Sequence, residues 1–314
     1  MKRAALGLSI LSALAIAGCV GAPDASDDEA AAQGTDAVQN IDTLPTGRGV
    51  GVFNKFQKPD GQGKPTGGTT NGIISHGGPV LLGTVNVYYI WYGNWSGNSA
   101  TTILTDFAQN LGGSPYWNIN TTYTSPGGPA ISNSLHYAGS TTDAYSKGTV
   151  LSDADIQTIV SAKIASAALP KDTNGIYFVL TSADVNASSG FCSQYCGWHT
   201  HGTISGSDIK YSFVGNPDRC PASCAAQTTS PNGNAGADGM ASIIAHEAEE
   251  TTTDPDLNAW YDRQGAENAD KCAWTFGTTY SAGGGLANMK LGVRDYYIQQ
   301  NWVNASGGFC AKSH

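Results

Sequence analysis

The chain has 314 residues, a formal net charge of -9 and only 13% charged side chains. An acidic balance of this size argues against nucleic acid as a partner. Its seven cysteines and 40 glycines suit a loop-rich protein of an oxidising compartment rather than a cytosolic enzyme.

Lys2 and Arg3 precede a short apolar run from Ala4 to Ile16, and Ile16-Ala17-Gly18-Cys19 reads as a lipobox. Residues 1–18 are therefore expected to be a lipoprotein signal peptide. Cys19 would carry lipid and tether the exported chain to a membrane, the outer one in a Gram-negative cell, where Val20 follows the cysteine. Residues 19–72 carry Asp24, Asp27, Asp28, Glu29, Asp36 and Asp42 and few large apolar side chains. Such a stretch reads as a flexible acidic tether. Residues 73–314 are long enough for one globular domain.

Within that domain Pro79 to Trp95 is β-branched and aromatic, a buried strand. Ser99 can cap a helix bearing Ile103, Leu104, Phe107 and Leu111, which Gly112-Gly113 ends. Ile131 to Tyr137 reads as a second strand. Ser152 or Asp153 caps a helix with Ile156, Ile159, Val160, Ile164 and Ala167 inward, stopped by Pro170. Gly175 to Thr181 is a short, central, apolar strand and Lys210 to Val214 another. Residues 182–209 and 217–236 read as long loops. A helix spans about Asp238 to Thr252, and strand-like segments follow at Met289 to Leu291 and Tyr296 to Val303. This order predicts a layered α/β domain with a mixed sheet, α+β being the alternative, and disulfide-bearing loops.

Apart from Cys19, the cysteines are Cys192, Cys196, Cys220, Cys224, Cys272 and Cys310, an even set that predicts three disulfides. Cys272 with Cys310 is the preferred long-range bridge, because the other four cluster; their pairing is open.

The late helix carries His246-Glu247-Ala248-Glu249-Glu250, followed by Thr253-Asp254-Pro255-Asp256. This is nearly the H-E-x-x-H arrangement of zinc hydrolases, with Glu250 in place of the second histidine. At roughly 100° per residue, Met240, Ile243, Ile244 and Ala248 define an apolar arc that includes Glu247. Glu249 falls on the opposite side, facing solvent. An inward carboxylate is costly without a cation or a dense set of donors. The expected centre therefore has His246 and Glu250 as metal ligands and Glu247 as general base to a metal-activated water, in a zincin-like helix arrangement. A third ligand comes from downstream (Asp254, Asp256, Glu267 or Asp270) or from His199 or His201, with His201 the favoured histidine. Oxygen-heavy ligation favours calcium; a recruited histidine favours zinc. Trp95, Trp117, Trp198 and Trp260 read as loop aromatics able to stack on sugars.

His76-Gly77-Gly78-Pro79-Val80-Leu81, Tyr92-Gly93-Asn94, Phe191-Cys192 to Cys196-Gly197, Val214-Gly215-Asn216 with Cys220-Pro221 and Cys224, and Pro231-Asn232-Gly233 to Asp238-Gly239-Met240 occur in order. Together they resemble the EXORDIUM, or phosphate-induced protein 1, family. That resemblance implies a secreted or wall-associated protein linked to growth responses and assigns no role to His246, Glu247 or Glu250. The His-Glu-x-x-Glu segment with Thr253-Asp254-Pro255 separately resembles zinc metallopeptidases. The expected function is thus an exported, lipid-anchored protein with a divalent-metal site, zinc first and calcium as alternative, acting on a peptide or other extracellular amide. The other reading is a non-enzymatic surface protein with a structural ion or a role in binding cell-wall polysaccharide.

Overall fold

The computed structural model describes residues 72–314. The expectations for the signal peptide, for Cys19 and for the tether up to residue 71 lie outside these residues.

Five strands form the main sheet: β1 (Val85–Tyr92), β2 (Leu135–Asp143), β3 (Gly175–Thr181), β4 (Gly197–Ile204) and β5 (Ser207–Val214). Their order is β2-β1-β3-β5-β4, with every pair parallel except the β4–β5 hairpin. Parallel neighbours need crossovers. Helix α1 (Ala100–Leu111) joins β1 to β2, and α2 (Asp153–Ala165) lies between β2 and β3. A third helix, α3 (Ala235–Thr253), follows β5 and packs on α1, β4 and β5. Helix α2 packs on β3 and β5. Side chains mark the two faces of the sheet. Tyr89 Oη donates to Leu104 O of α1 at 3.3 Å, whereas its neighbour Tyr88 points the other way and stacks on Tyr177. Because helices cover both faces, β1 and β3 read as unbroken apolar runs rather than alternating ones. The expected layered domain with a mixed sheet and disulfide-bearing loops is what forms.

Local signals explain the differences in detail. Asn98 Oδ1, not Ser99, accepts a hydrogen bond from the first turn of α1, from Ala100 N–H at 2.9 Å. Ser152 is the cap of α2, in a reciprocal capping box with Asp155. That helix ends at Ala165, since Ala167 adopts φ 56°. Strand β2 starts later than expected, at Leu135 rather than Ile131. Strand β4 falls inside residues 182–209, expected to be loop; its Trp-His-Thr-His-Gly run lacks the apolar pattern of a strand. The C-terminal region makes two small hairpins, Met289–Leu291 with Arg294–Tyr296 and Asn301–Val303 with Phe309–Ala311, instead of one strand through residue 303.

The disulfides are Cys192–Cys220, Cys196–Cys224 and Cys272–Cys310. The first two each close 28 residues of sequence, tying the chain before β4 to the chain after β5. A loop of that length corresponds to roughly 3–4 kcal/mol in the chain-entropy account. Among the described residues no helix is long and apolar enough to cross a membrane.

Helix α3 is buried almost along its whole length. Asn234 Oδ1 caps it by accepting from Ala237 N–H at 3.0 Å. Thr251, Thr252 and Thr253 satisfy their buried hydroxyls by donating to the carbonyls four residues back, at 2.6, 2.7 and 3.0 Å. The approach to β4 is close enough to require glycine. A methyl group at Gly197 would lie 2.5 Å from Ile243 Cγ2 and 2.9 Å from Glu247 Oε1. Gly197→Ala should therefore destabilise the domain by about 1–3 kcal/mol, read from the urea unfolding midpoint.

Candidate metal centre

The site assembles where α3 meets β4 and the chain at residues 267–272. On β4 alternate side chains share a face, so His199 and His201 both point toward the α3 side of the sheet. Two residues advance a strand by roughly 7 Å, and this separates their fates. His199, fully buried, meets the middle of α3: its Nε2 lies 3.7 Å from Glu250 Oε2 and 3.1 Å from Glu267 Oε2. His201 is half-buried beyond the cluster, its Nδ1 2.9 Å from Asp208 and 3.7 Å from Asp256. Lys210 already neutralises that outer group, with Nζ 2.5 Å from Asp208 and 2.6 Å from Asp256. The strand histidine at the centre is thus His199, and the favoured His201 stands apart from His246 and Glu250.

On α3, His246 and Glu250 meet one turn apart, Nε2 to Oε1 at 2.8 Å. Asp270, just past Glu267, completes this side. Its Oδ1 is 3.8 Å from His246 Nε2, and its N–H donates to Glu250 Oε1 at 3.1 Å. The segment is held by the Cys272–Cys310 disulfide, as the sequence suggested, and by Gln299. The Gln299 Nε2 group donates to Ala269 O at 2.8 Å and sits 3.1 Å from His246 Nδ1. When that nitrogen accepts from the amide, Nε2 of the neutral ring carries the proton; a cation at Nε2 requires the other tautomer, with the proton on Nδ1 and an acceptor facing it.

Glu247 faces β4 and is buried, as its place in the apolar arc requires. Glu249 does not reach solvent: it is 0% exposed, because α3 is covered on that side too. The 3-10 turn Trp117–Thr122 packs on α3 there, and Asn120 and Asn301 face the Glu249 carboxylate. Asp254 ends the helix instead of joining the cluster. Its Oδ1 accepts from Asn258 N–H and Ala259 N–H, both at 2.6 Å. The tryptophans offer little to a sugar, since Trp95, Trp117 and Trp198 are buried and only Trp260 is half-exposed.

Electrostatics sets this cluster apart from an ordinary salt-bridge network. Among the described residues, no Lys or Arg pairs with Glu247, Glu250, Glu267 or Asp270. Among the described residues, no hydrogen-bond donor reaches Glu247 Oε2, Glu250 Oε2, Glu267 Oε1 or Asp270 Oδ1, all buried. Burial pushes all four carboxyls well above their usual range, and the crowding of like charges pushes them further. Burial also lowers His199 to about 3 and His246 to about 4, so both imidazoles are neutral near pH 7. Neutral imidazoles beside carboxylates with vacant lone pairs fit a divalent cation. Ligand atoms of His246, Glu250 and Asp270 all lie within 4.8 Å of one another.

Residues 73–292 match the family model described as the phosphate-induced protein 1 conserved region. The chain belongs to the phosphate-induced protein 1, or EXORDIUM, family. It is 34% identical over 265 residues to protein EXORDIUM-like 5 of Arabidopsis thaliana, covering 74% of this chain and 71% of that protein. Protein EXORDIUM-like 3 of the same plant is also 34% identical, covering 73% and 79%. Protein PHOSPHATE-INDUCED 1 of Nicotiana tabacum is 30% identical, covering 59% and 66%. No solved structure matches the chain. The three disulfides fit folding in an oxidising compartment.

Asp270 was one of four downstream candidates for the third ligand; the signal that favours it is Cys272 two residues on, whose bridge fixes that stretch in space. The pH dependence follows from the shifts. A carboxyl whose folded pKa is raised contributes stability at low pH that is lost as pH climbs through the folded value. The two lowered histidines act oppositely, but only below their ordinary 6.5. Above that, the carboxyls alone decide. Chelator-treated protein should lose melting temperature as pH rises from 6.5 into the mildly alkaline range, and saturating zinc should flatten that slope.

Proposed function

We propose that this chain is an exported, divalent-metal-binding member of the family whose centre is built to hydrolyse a peptide or related amide bond. The observation that carries the reading is the convergence of His246 Nε2, Glu250 and Asp270, with Glu247 in the next helical position and, among the described residues, no basic side chain to neutralise them. Two buried imidazoles in the cluster favour zinc over calcium, which prefers six to eight oxygens. A zinc ion held there would supply Lewis acidity and acidify a bound water. His246, Glu250 and Asp270 would be the ligands, and Gln299 would fix the His246 ring. Glu247, its carboxyl made more basic by burial, would accept the water proton and pass it to the leaving amine.

A second reading is favoured by how enclosed the cluster is: the Glu267 side chain is 7% exposed and the Asp270 side chain 1%. In it the cation holds the Glu267–Cys272 segment to α3 and no reaction follows. Two measurements separate the readings. Protein purified without chelator should contain zinc by elemental analysis, and His246→Ala should lose it. On a peptide library, Glu247→Gln should keep the metal while turnover falls roughly 100- to 10,000-fold. Bound metal with no cleavage by the parent protein supports the structural ion; absence of metal sinks both.

Anchoring through Cys19 belongs to the same reading. The full-length chain expressed in a Gram-negative host should fractionate with membranes, and Cys19→Ala should move it to the soluble fraction.

A further inference from the structure

We propose that the cluster is a two-cation site in which Glu250 bridges the ions, the second held by His199, Glu247 and Glu250. This rests on the first cation position of the reading above and revises the role of Glu247 in it.

The first argument is the placement of Glu250. Its two oxygens serve opposite neighbours, with Oε1 2.8 Å from His246 Nε2 on α3 and Oε2 3.7 Å from His199 Nε2 on β4. An imidazole thus stands on each side of one carboxylate. Each side also has a third donor, a second carboxylate oxygen. Ligand atoms of His199, Glu247 and Glu250 lie within 4.8 Å of one another, just as those of His246, Glu250 and Asp270 do. Glu267 Oε2, 3.1 Å from His199 Nε2, brings a further carboxylate to the edge of the second position.

The second argument is independent of that geometry. On the β4 side, Glu247 Oε2 and Glu250 Oε2 are buried in residues 2% and 0% exposed, and no hydrogen-bond donor reaches them. They are the unpartnered polar atoms a ligand position requires. The third argument is the donor set. No basic side chain among the described residues pairs with Glu247, Glu250, Glu267 or Asp270, so each can be ionised only against a cation, and two divalent ions match four carboxylates. Nitrogen and carboxylate donors in both positions suit zinc or manganese. Filling the second position takes Glu247 as a ligand and so withdraws it from proton transfer.

The test is stoichiometry on the full chain. Metal-stripped protein dialysed against buffered zinc should hold two equivalents, and His199→Asn should hold one. His201→Ala, which removes the outer His201–Asp208–Asp256 group, should still hold two. Loaded instead with manganese, the parent protein should show the paramagnetic resonance of an exchange-coupled pair and His199→Asn that of an isolated ion. The manganese spectrum of the parent decides the matter even where the variant does not fold. One equivalent in the parent with an uncoupled signal overturns the second position and leaves the first reading standing. No bound metal overturns both.

Discussion

A helix buried on every side must satisfy its polar side chains from what the fold packs around it. Helix α3 is such a helix, and it carries His246, Glu247, Glu249 and Glu250 in five consecutive positions. The surroundings answer each group differently. The threonines of its last turn bond back to their own helix, and the Glu249 carboxylate is buried beside the amides of Asn120 and Asn301 without a close hydrogen bond to either. Asn268 Nδ2 reaches the Glu249 carbonyl at 3.3 Å, and Ser242 Oγ accepts from Gln299 N–H at 3.0 Å. What remains is the face toward β4 and residues 267–270, where more carboxylate and imidazole arrive instead of a base. The fold adds negative charge to negative charge at that one place.

The scaffold can afford this because its pieces are fastened elsewhere. Cys272–Cys310 holds the segment that brings Glu267 and Asp270, so their position does not depend on the cluster they enter. Cys196–Cys224 fixes the start of β4 one residue before Gly197, whose missing side chain lets the strand lie against Ile243 and Glu247. At the other end of α3, Lys210 of β5 binds Asp256 just after the helix. That ion pair anchors the helix end to the sheet and uses the outer acidic group as structure. The contrast is instructive: the group around His201 contains its own cation in Lys210, whereas the group around His199 contains none.

Much of this was legible in the sequence, for identifiable reasons. Helical periodicity alone placed Glu247 inward, and the apolar runs of β1 and β3 marked the centre of the sheet. Glu249 failed because a helical wheel assumes that one face is wet, and coverage by Trp117–Thr122 is a tertiary fact. Strand β4 was missed because half its residues are polar, although only His199 among them joins the cluster. The choice between His199 and His201 depended on register: both share a face, and only the pairing of His199 with Ser212 and His201 with Lys210 determines which meets Glu250. Sequence spacing holds no record of that register.

Ligand protonation connects the geometry to the cation. Metal binding requires a free nitrogen lone pair and an ionised carboxylate. Burial has already emptied both imidazoles, lowered to about 3 and about 4, so at neutral pH a cation displaces no proton from them. The carboxyls are the reverse: raised by burial and by one another, they hold protons that a cation must expel. The histidines therefore set where a metal sits, and the carboxyls set at what pH it is held. Enclosure strengthens both effects, because removing water disfavours the charged forms and magnifies any attraction to a cation that replaces the protons. A metal bound in the proposed centre would exchange for protons as a unit, and Glu250, placed between His246 and His199, would couple one side to the other.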